Sequence, residues 1–280
     1  MQKRQRVLPA GWYPADKKST IQNIEKIRAD LPLSKQSAVG GVVPHAGWVF
    51  SGKAALQVFL SCPEDIDTCV IIGGHMAPGQ GILAAFEDEF ETPLGPLLLD
   101  REMLSCLESE IELKPDHYAD NTVEIQLPMV KYCFPETSII WLRASPSREA
   151  ILLGKALFAA AAKFRKKTAV FGSTDLTHYG SNYGFAPPES RPDPLQWVKT
   201  KNDKKIIAAM LSMEGMDIID AANEDSSACS AGGAAAAASY AKAAGAEKGV
   251  LLSYYTSHDV YPSGDSFVGY AGIMYPVQSP

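Results

Sequence analysis

Five histidines are spread along the 280 residues, at His45, His75, His117, His178 and His258, and three of them share a setting. His45 comes just after the apolar run 38–43, and His75 just after the run 68–72 and a Gly73-Gly74 pair. His178 closes the segment Phe171-Gly-Ser-Thr-Asp-Leu-Thr-His178. Runs of that length and β-branched content read as buried strands. Open α/β sheets gather their ligand sites at the carboxyl ends of strands. A single imidazole there is more often a hydrogen-bonded loop residue than a ligand. Three at corresponding strand ends suit a metal centre, because imidazole is the commonest metal ligand and a catalytic site needs about three protein ligands plus an open position.

Two other residue types bear on the same chemistry. Cys229 lies in Ser226-Ser-Ala-Cys-Ser-Ala-Gly-Gly233, just ahead of an alanine-rich helical stretch. A thiol at a helix N-terminus feels the positive end of the dipole, which favours the thiolate as ligand or nucleophile. The same position also suits any small residue at a tight helix entry, and both readings stand on position alone. Asp175 is three residues before His178, so a helical turn would set the two on one face, with the carboxylate orienting the imidazole or accepting a proton. Asp120 and Glu124, flanking Asn121, read first as capping carboxylates of a short helix.

Strand and helix signals around these residues alternate. Strands are expected over 38–43, 68–72, 139–142, 168–171, 250–255 and 267–275, and helices over 51–60, 148–163, 201–213 and 230–242. Between 181 and 196 a loop carries Pro187, Pro188, Pro192 and Pro194, and its length suits a functional loop or lid. No internal repeat or break in composition divides the chain. The expectation is one α/β domain, residues 1–280, with a central mixed sheet flanked by helices.

Composition excludes several classes. Hydrophobic residues make up 46% and charged residues 21%, ordinary for a globular chain with a large core. A net charge of −6 opposes nucleic-acid binding, which needs a basic surface. The short basic clusters at 163–167 and 199–205 read as solvated helix ends. No apolar run reaches the 18 or so residues of a membrane helix, and the N-terminus lacks the apolar core of a secretory signal. Five scattered cysteines, an odd number without a CxxC pair, fit free thiols in a reducing cytoplasm. Neither GxGxxG, a Walker sequence nor a GxSxG elbow occurs.

Taken in order, eight segments carry a resemblance. They are Pro9-Ala-Gly-Trp-Tyr-Pro-Ala-Asp16, Val43-Pro-His-Ala-Gly-Trp48, Ile72-Gly-Gly-His75, Glu91-Thr-Pro-Leu-Gly-Pro96 with Asp100, Val123-Glu-Ile-Gln-Leu-Pro128, Ser173-Thr-Asp-Leu-Thr-His-Tyr-Gly180, Cys229, and Val268-Gly-Tyr-Ala271. The chain thereby resembles the Memo family, whose fold is similar to that of class III extradiol dioxygenases. The resemblance implies a pocket with His45, His75 and Cys229 as metal ligands and His178 and Asp175 beside them as catalytic residues. Two imidazoles and a thiolate suit Fe(II), with Cu or Zn as alternatives, and not Mg or Ca. It implies a dioxygenase-like oxidoreductase acting on a small molecule. It equally admits a non-catalytic adaptor holding a peptide, or a partner of the AMMECR-type and radical SAM proteins that accompany the family. Three departures stand out. Asp120-Asn121 replaces a usual Glu-His, Ser230-Ala231 replaces Gly-Arg after the cysteine, and Gly73-Gly74 replaces Pro-Asn or Pro-Ser. The expected way to restore an imidazole is His117 reaching in from upstream. Trp12, Tyr13 and Trp48 are candidates for an aromatic pocket wall, or for core packing.

Overall fold

Five parallel strands form the centre of the molecule, in the spatial order Leu97–Leu99, Ser138–Ala144, Thr68–Gly73, Thr168–Ser173 and Ala38–Val43. The computed structural model describes residues 2–32, 37–262 and 264–277. Beyond Ala38–Val43 the sheet turns antiparallel. Strand Phe267–Pro276 pairs there, and against it lie Val250–Thr256 and the two-residue strand His178–Tyr179. At the other side Ile82–Ala84 runs antiparallel to the end of Ser138–Ala144. Glu89–Phe90 runs antiparallel to Leu97–Leu99, with Lys3–Arg4 parallel outside it. The mixed sheet expected from the sequence is present, with 12 strands among the described residues.

Both faces of the parallel strands are covered, which explains why they read as unbroken apolar runs. Side chains alternate across a strand. Val70 and Ile72 therefore join one core, with Leu153, Leu157 and Ala234 from the helices Arg148–Phe164 and Ala231–Ala243. Cys69 and Ile71 join the other, with Ile24, Leu56 and Phe59 from the helices Lys17–Ala29 and Trp48–Phe59. The result is one α/β domain of three layers.

Alanine and glycine make the contact on the first face unusually close. Residues 231–241 of the Ala231–Ala243 helix are all buried. A Cβ on Gly233 would fall on the carbonyl oxygen of Ile72, so the start of this helix rests directly on the strand end that leads to His75. Alanines lose little entropy on burial and hold the helix well. Their small side chains are what bring Cys229 down to the sheet.

Candidate metal centre

Strands Ala38–Val43 and Thr68–Gly73 lie on either side of Thr168–Ser173, and all three run the same way. Their carboxyl ends deliver His45, His75 and Asp175 to one spot. Cys229 arrives from the opposite layer, its backbone N–H donating to Asp175 O at 3.2 Å. His45 Nε2 is 3.2 Å from His75 Nε2 and 3.2 Å from Cys229 Sγ, and the three donor atoms all lie within 4.8 Å of one another. Nitrogen and sulfur donors bind such ions at about 2.0–2.3 Å, so tetrahedral neighbours stand roughly 3.3–3.6 Å apart. The spacing fits three ligands of a single ion. This cluster could bind a metal ion.

His45 is held on every side. Its backbone N–H donates to Asp175 Oδ1 at 2.7 Å, and its carbonyl accepts from Asn121 Nδ2 at 3.3 Å. Its Nδ1 faces Ser173 Oγ at 3.3 Å, and Gln126 Nε2 donates to that oxygen at 3.1 Å and to Pro44 O at 2.8 Å. With Nδ1 engaged by Ser173, Nε2 is the nitrogen that points to Cys229 and His75. Burial pushes the His45 imidazole down to about 4, opposed by the negative charge of Asp120. Burial and the neighbouring His45 lower His75 as well. Both imidazoles are neutral at pH 7 and keep a lone pair to share.

Cys229 departs from the expectation of a ready thiolate. Burial, and then the nearby Asp175 charge, push its thiol well above the ordinary thiol range. The helix begins only at Ala231, so the dipole acts from two residues away and burial outweighs it. An ion that drew this sulfur would have to displace its proton.

Asp175 and His178 do not share a helical turn. Residues 174–177 form neither helix nor strand, and His178 opens the short strand that pairs with Val268. Asp175 is buried, its Oδ1 accepting from His45 N, whereas His178 is half-buried with its ring against the edge of Tyr183, 4.9 Å between centroids. Burial raises the Asp175 carboxyl to about 6, opposed by the charge of His178. Burial lowers His178 in turn, opposed by Asp175. The two thus influence each other through charge, with no hydrogen bond between them among the described residues. The loop that ends in His178 is anchored from beneath: Asp203 Oδ1 accepts from Thr177 N at 3.1 Å and Thr177 Oγ1 at 2.5 Å.

Above the cluster opens a pocket of about 440 Å³, lined by His45, His75, Asn121, Asp175 and His178 and walled by Trp12, Phe50, Tyr183, Tyr261 and Tyr270. Trp12 belongs to this wall. Tyr13 and Trp48 are core residues instead, with their polar tips on Glu124 and Ile125 O. Asn121 occupies the place where the family pattern has an imidazole, and exposed His117 is not in the lining. Asp120 does cap the Asn121–Glu124 helix, accepting from Thr122 N at 2.8 Å. Glu124 does not cap; it gathers the N-terminal arm, accepting from Val7 N, Leu8 N and Tyr13 Oη at 2.9–3.0 Å. Gly73 and Gly74 answer to Thr122. A Cβ on Gly73 would strike its hydroxyl, and Gly74, at φ +111°, donates its N–H to that oxygen at 2.8 Å.

Tyr183, Tyr261, Tyr270, Ser173 and Gln126 went unmarked in the sequence. Gln126, Ser173 and Tyr270 sit inside the segments that carry the resemblance, a signal that was there to use. Tyr183 and Tyr261 follow no spacing rule. A larger cavity of about 730 Å³, beside Cys62 and Cys133 at the other end of the Trp48–Phe59 helix, holds no histidine and is bordered by Pro32 and Ser37, next to residues outside the described set.

The family model described as Memo-like protein matches residues 4–274. The chain belongs to the Memo family. A Memo relative from Thermococcus onnurineus, named a MEMO1 family protein, is 32% identical over 94% of this chain and 96% of its own length. Another from Pyrococcus furiosus is 32% identical over 96% and 98%, and one from Methanococcoides burtonii 31% identical over 97% and 99%. A solved structure of an uncharacterized protein from Escherichia coli K12 aligns at a TM-score of 0.41 and 11% identity, over 81% of this chain and 92% of that one. In this Memo chain no described helix is long and apolar enough to cross a membrane.

Proposed function

We propose that this chain is a metal-dependent enzyme, an oxidoreductase of dioxygenase-like type, acting on a small molecule in the pocket above His45, His75 and Cys229. Fe(II) is the favoured ion, with Cu or Zn as alternatives. The observation that supports this most is the convergence of three donor atoms within 4.8 Å of one another, with His45 and His75 also lining a pocket. Two imidazoles and a soft sulfur suit these ions and do not suit Mg or Ca. A bound ion of this kind would polarise a substrate oxygen or, if redox-active, engage dioxygen.

The protein's own residues would do the rest. His178 is half-buried at the pocket wall, and its ring nitrogens would give or take the proton. Asp175 would favour the protonated imidazole by its charge and fix His45 through its backbone. Trp12, Phe50 and the tyrosines would exclude water. A thiolate in place of the carboxylate of the extradiol enzymes leaves oxidase or lyase chemistry, and hydrolysis with zinc, within this reading.

The test is elemental analysis of protein purified anaerobically, beside a His45→Ala, Cys229→Ala variant. Near-stoichiometric iron, copper or zinc, absent from the variant, is expected. If both remain metal-free after reconstitution with Fe(II), Cu and Zn, the enzyme reading falls. The reading it would yield to is a binding module, favoured by the amide of Asn121 where the family pattern has an imidazole. Under either reading, partnership with AMMECR-type and radical SAM proteins predicts their co-purification with the chain.

A further inference from the structure

We infer that the π-helical turn Val198–Asn202 positions two segments of the pocket wall, the one carrying His178 through Asn202 and the adjoining Asp203, and the one carrying Ser257 and Tyr261 through Lys199. The part His178 plays is the one proposed above, on which this assignment rests, whereas the contacts that position it involve no ion.

Residues 194–212 form one helix with an irregular turn inside it. Pro194–Trp197 and Asp203–Ser212 are α-helical, and Val198–Asn202 between them is π-helical, with Asp203 N–H donating to Val198 O. Such a turn takes one residue more than an α-turn, is rare, and is frequent at functional sites. The extra residue re-aims the side chains before it relative to those after it. Here they reach three neighbours. Val198 is wholly buried in a small separate core with Tyr179 and Phe267. Asn202 Nδ2 donates to Thr177 Oγ1 at 2.9 Å and to Asp225 O at 3.0 Å. Asp203 Oδ1 accepts both the N–H and the hydroxyl of Thr177, and its Oδ2 accepts from Tyr254 Oη at 2.8 Å. Lys199 Nζ donates to Asp259 Oδ1 at 2.6 Å, and Asp259 Oδ2 caps the short helix Ser257–Val260 by accepting from Thr256 N and Oγ1.

The sheet by itself holds His178 weakly. His178–Tyr179 is a strand of two residues paired with Val268 and Phe267, and a ladder that short is marginal without further packing. Tying Thr177 to the helix supplies that support directly beside His178, whose ring lies against Tyr183 in the pocket wall. Gly269 finds its reason at the same point. A Cβ there would fall on Asp203 Oδ2, so the glycine of Val268-Gly-Tyr-Ala271 is what lets the carboxyl lie against the strand. That carboxyl is fully buried, and a buried carboxyl is costly unless its hydrogen bonds are made.

Each arm of the clamp carries its own reporter, His178 on one and His258, in Ser257–Val260, on the other. The experiment is NMR of the full chain labelled at histidine, as purified and after chelation, reading ring signals and the His178 amide exchange rate. Asp203→Leu is expected to displace the His178 ring signal and speed its amide exchange about tenfold or more. Asp203→Asn keeps an oxygen for Thr177, and Tyr254 can accept where it donated, so His178 is expected to stay as in wild type. If Asp203→Leu does not fold, Thr177→Val, which drops the hydroxyl and keeps the shape, takes its place with the same expectation. Lys199→Met is expected to shift His258 and leave His178 unmoved. Deletion of Thr200, which is exposed and bonds only to Gln196 O, makes the turn α-helical and is expected to move both histidines. The assignment is overturned if loss of the Thr177 contacts leaves His178 unchanged, if Asp203→Asn disturbs it as Asp203→Leu does, if Lys199→Met leaves His258 in place, or if deletion of Thr200 moves neither. Metal content of the same samples reads separately: protein without metal in which both arms respond as stated keeps the clamp and removes the metal reading.

Discussion

A ligand residue binds an ion only with its lone pair free, and the three donors begin from different states. His45 and His75 are neutral at pH 7 because burial lowers both, whereas burial holds the Cys229 thiol protonated. Loading the site with Zn at pH 7 should therefore release about one proton per ion, and Cys229→Ser should abolish that release. An indicator in weakly buffered solution measures it, and release of no proton by the wild type would contradict a cysteine ligand. Ser173→Ala removes the oxygen that fixes His45 Nδ1 and should weaken metal binding about 10- to 100-fold, read by competition with a chelator. The grouping of His45 with His75 was legible in the sequence because strand-end imidazoles are a local pattern, whereas Cys229 entered the set through the resemblance. Ser173 and Gln126 were not singled out, because a hydroxyl or amide inside an apolar or helical stretch looks ordinary until the fold aims it at an imidazole. The helical turn that would have set Asp175 and His178 on one face did not form; His178 opens a strand and pairs with Val268 instead.

Elements decide how firmly the donors are held. The Ala231–Ala243 helix was legible from its alanines, but its contact with the strand ends was not, because a glycine's closeness to a carbonyl depends on a partner far away in the chain. Gly233→Ala should destabilise the protein by about 1–3 kcal/mol and, by lifting the helix entry, weaken metal retention as well. Urea unfolding and chelator competition check the two effects, and an unchanged midpoint would show that the contact yields easily. Thr122→Val should cost about 1–3 kcal/mol, since Gly74 N–H would lose its acceptor in a buried setting. The long parallel strands were found with their ends within two residues because both faces are buried. The short strands Ile82–Ala84, Glu89–Phe90 and Leu97–Leu99 were missed, since two or three residues carry no periodicity. The loop expected over 181–196 contains short helical turns, among them Pro194–Trp197, and contributes Tyr183 to the pocket wall.

Across the whole molecule, one buried carboxylate ties the site to pH. Asp203 is buried beneath the loop that ends in His178, and burial raises its carboxyl to about 6 against hydrogen bonds from Thr177 and Tyr254 that lower it. A carboxyl whose folded value lies above its unfolded one favours folding while protonated. Its contribution is therefore full below about pH 4 and is lost as pH rises toward 6, on the order of 2–3 kcal/mol. Asp203→Asn should accordingly compare least favourably with wild type near pH 4 and gain on it by pH 7, in denaturant midpoints measured at both values. A constant difference would mean that burial does not raise this carboxyl above its unfolded value. Fold class and family order could be read from the sequence because hydrophobic pattern and short motifs are written locally. The pocket could not, because its walls come from positions as far apart as Trp12 and Tyr270. His45 and Cys229 meet across 184 positions of chain. A polypeptide halted before residue 229 would offer two imidazoles and no sulfur, so firm capture of an ion would be open only to chains that have been synthesised past that point and have folded back on themselves. Metal retention would then report that a chain has been completed past Cys229 and has folded.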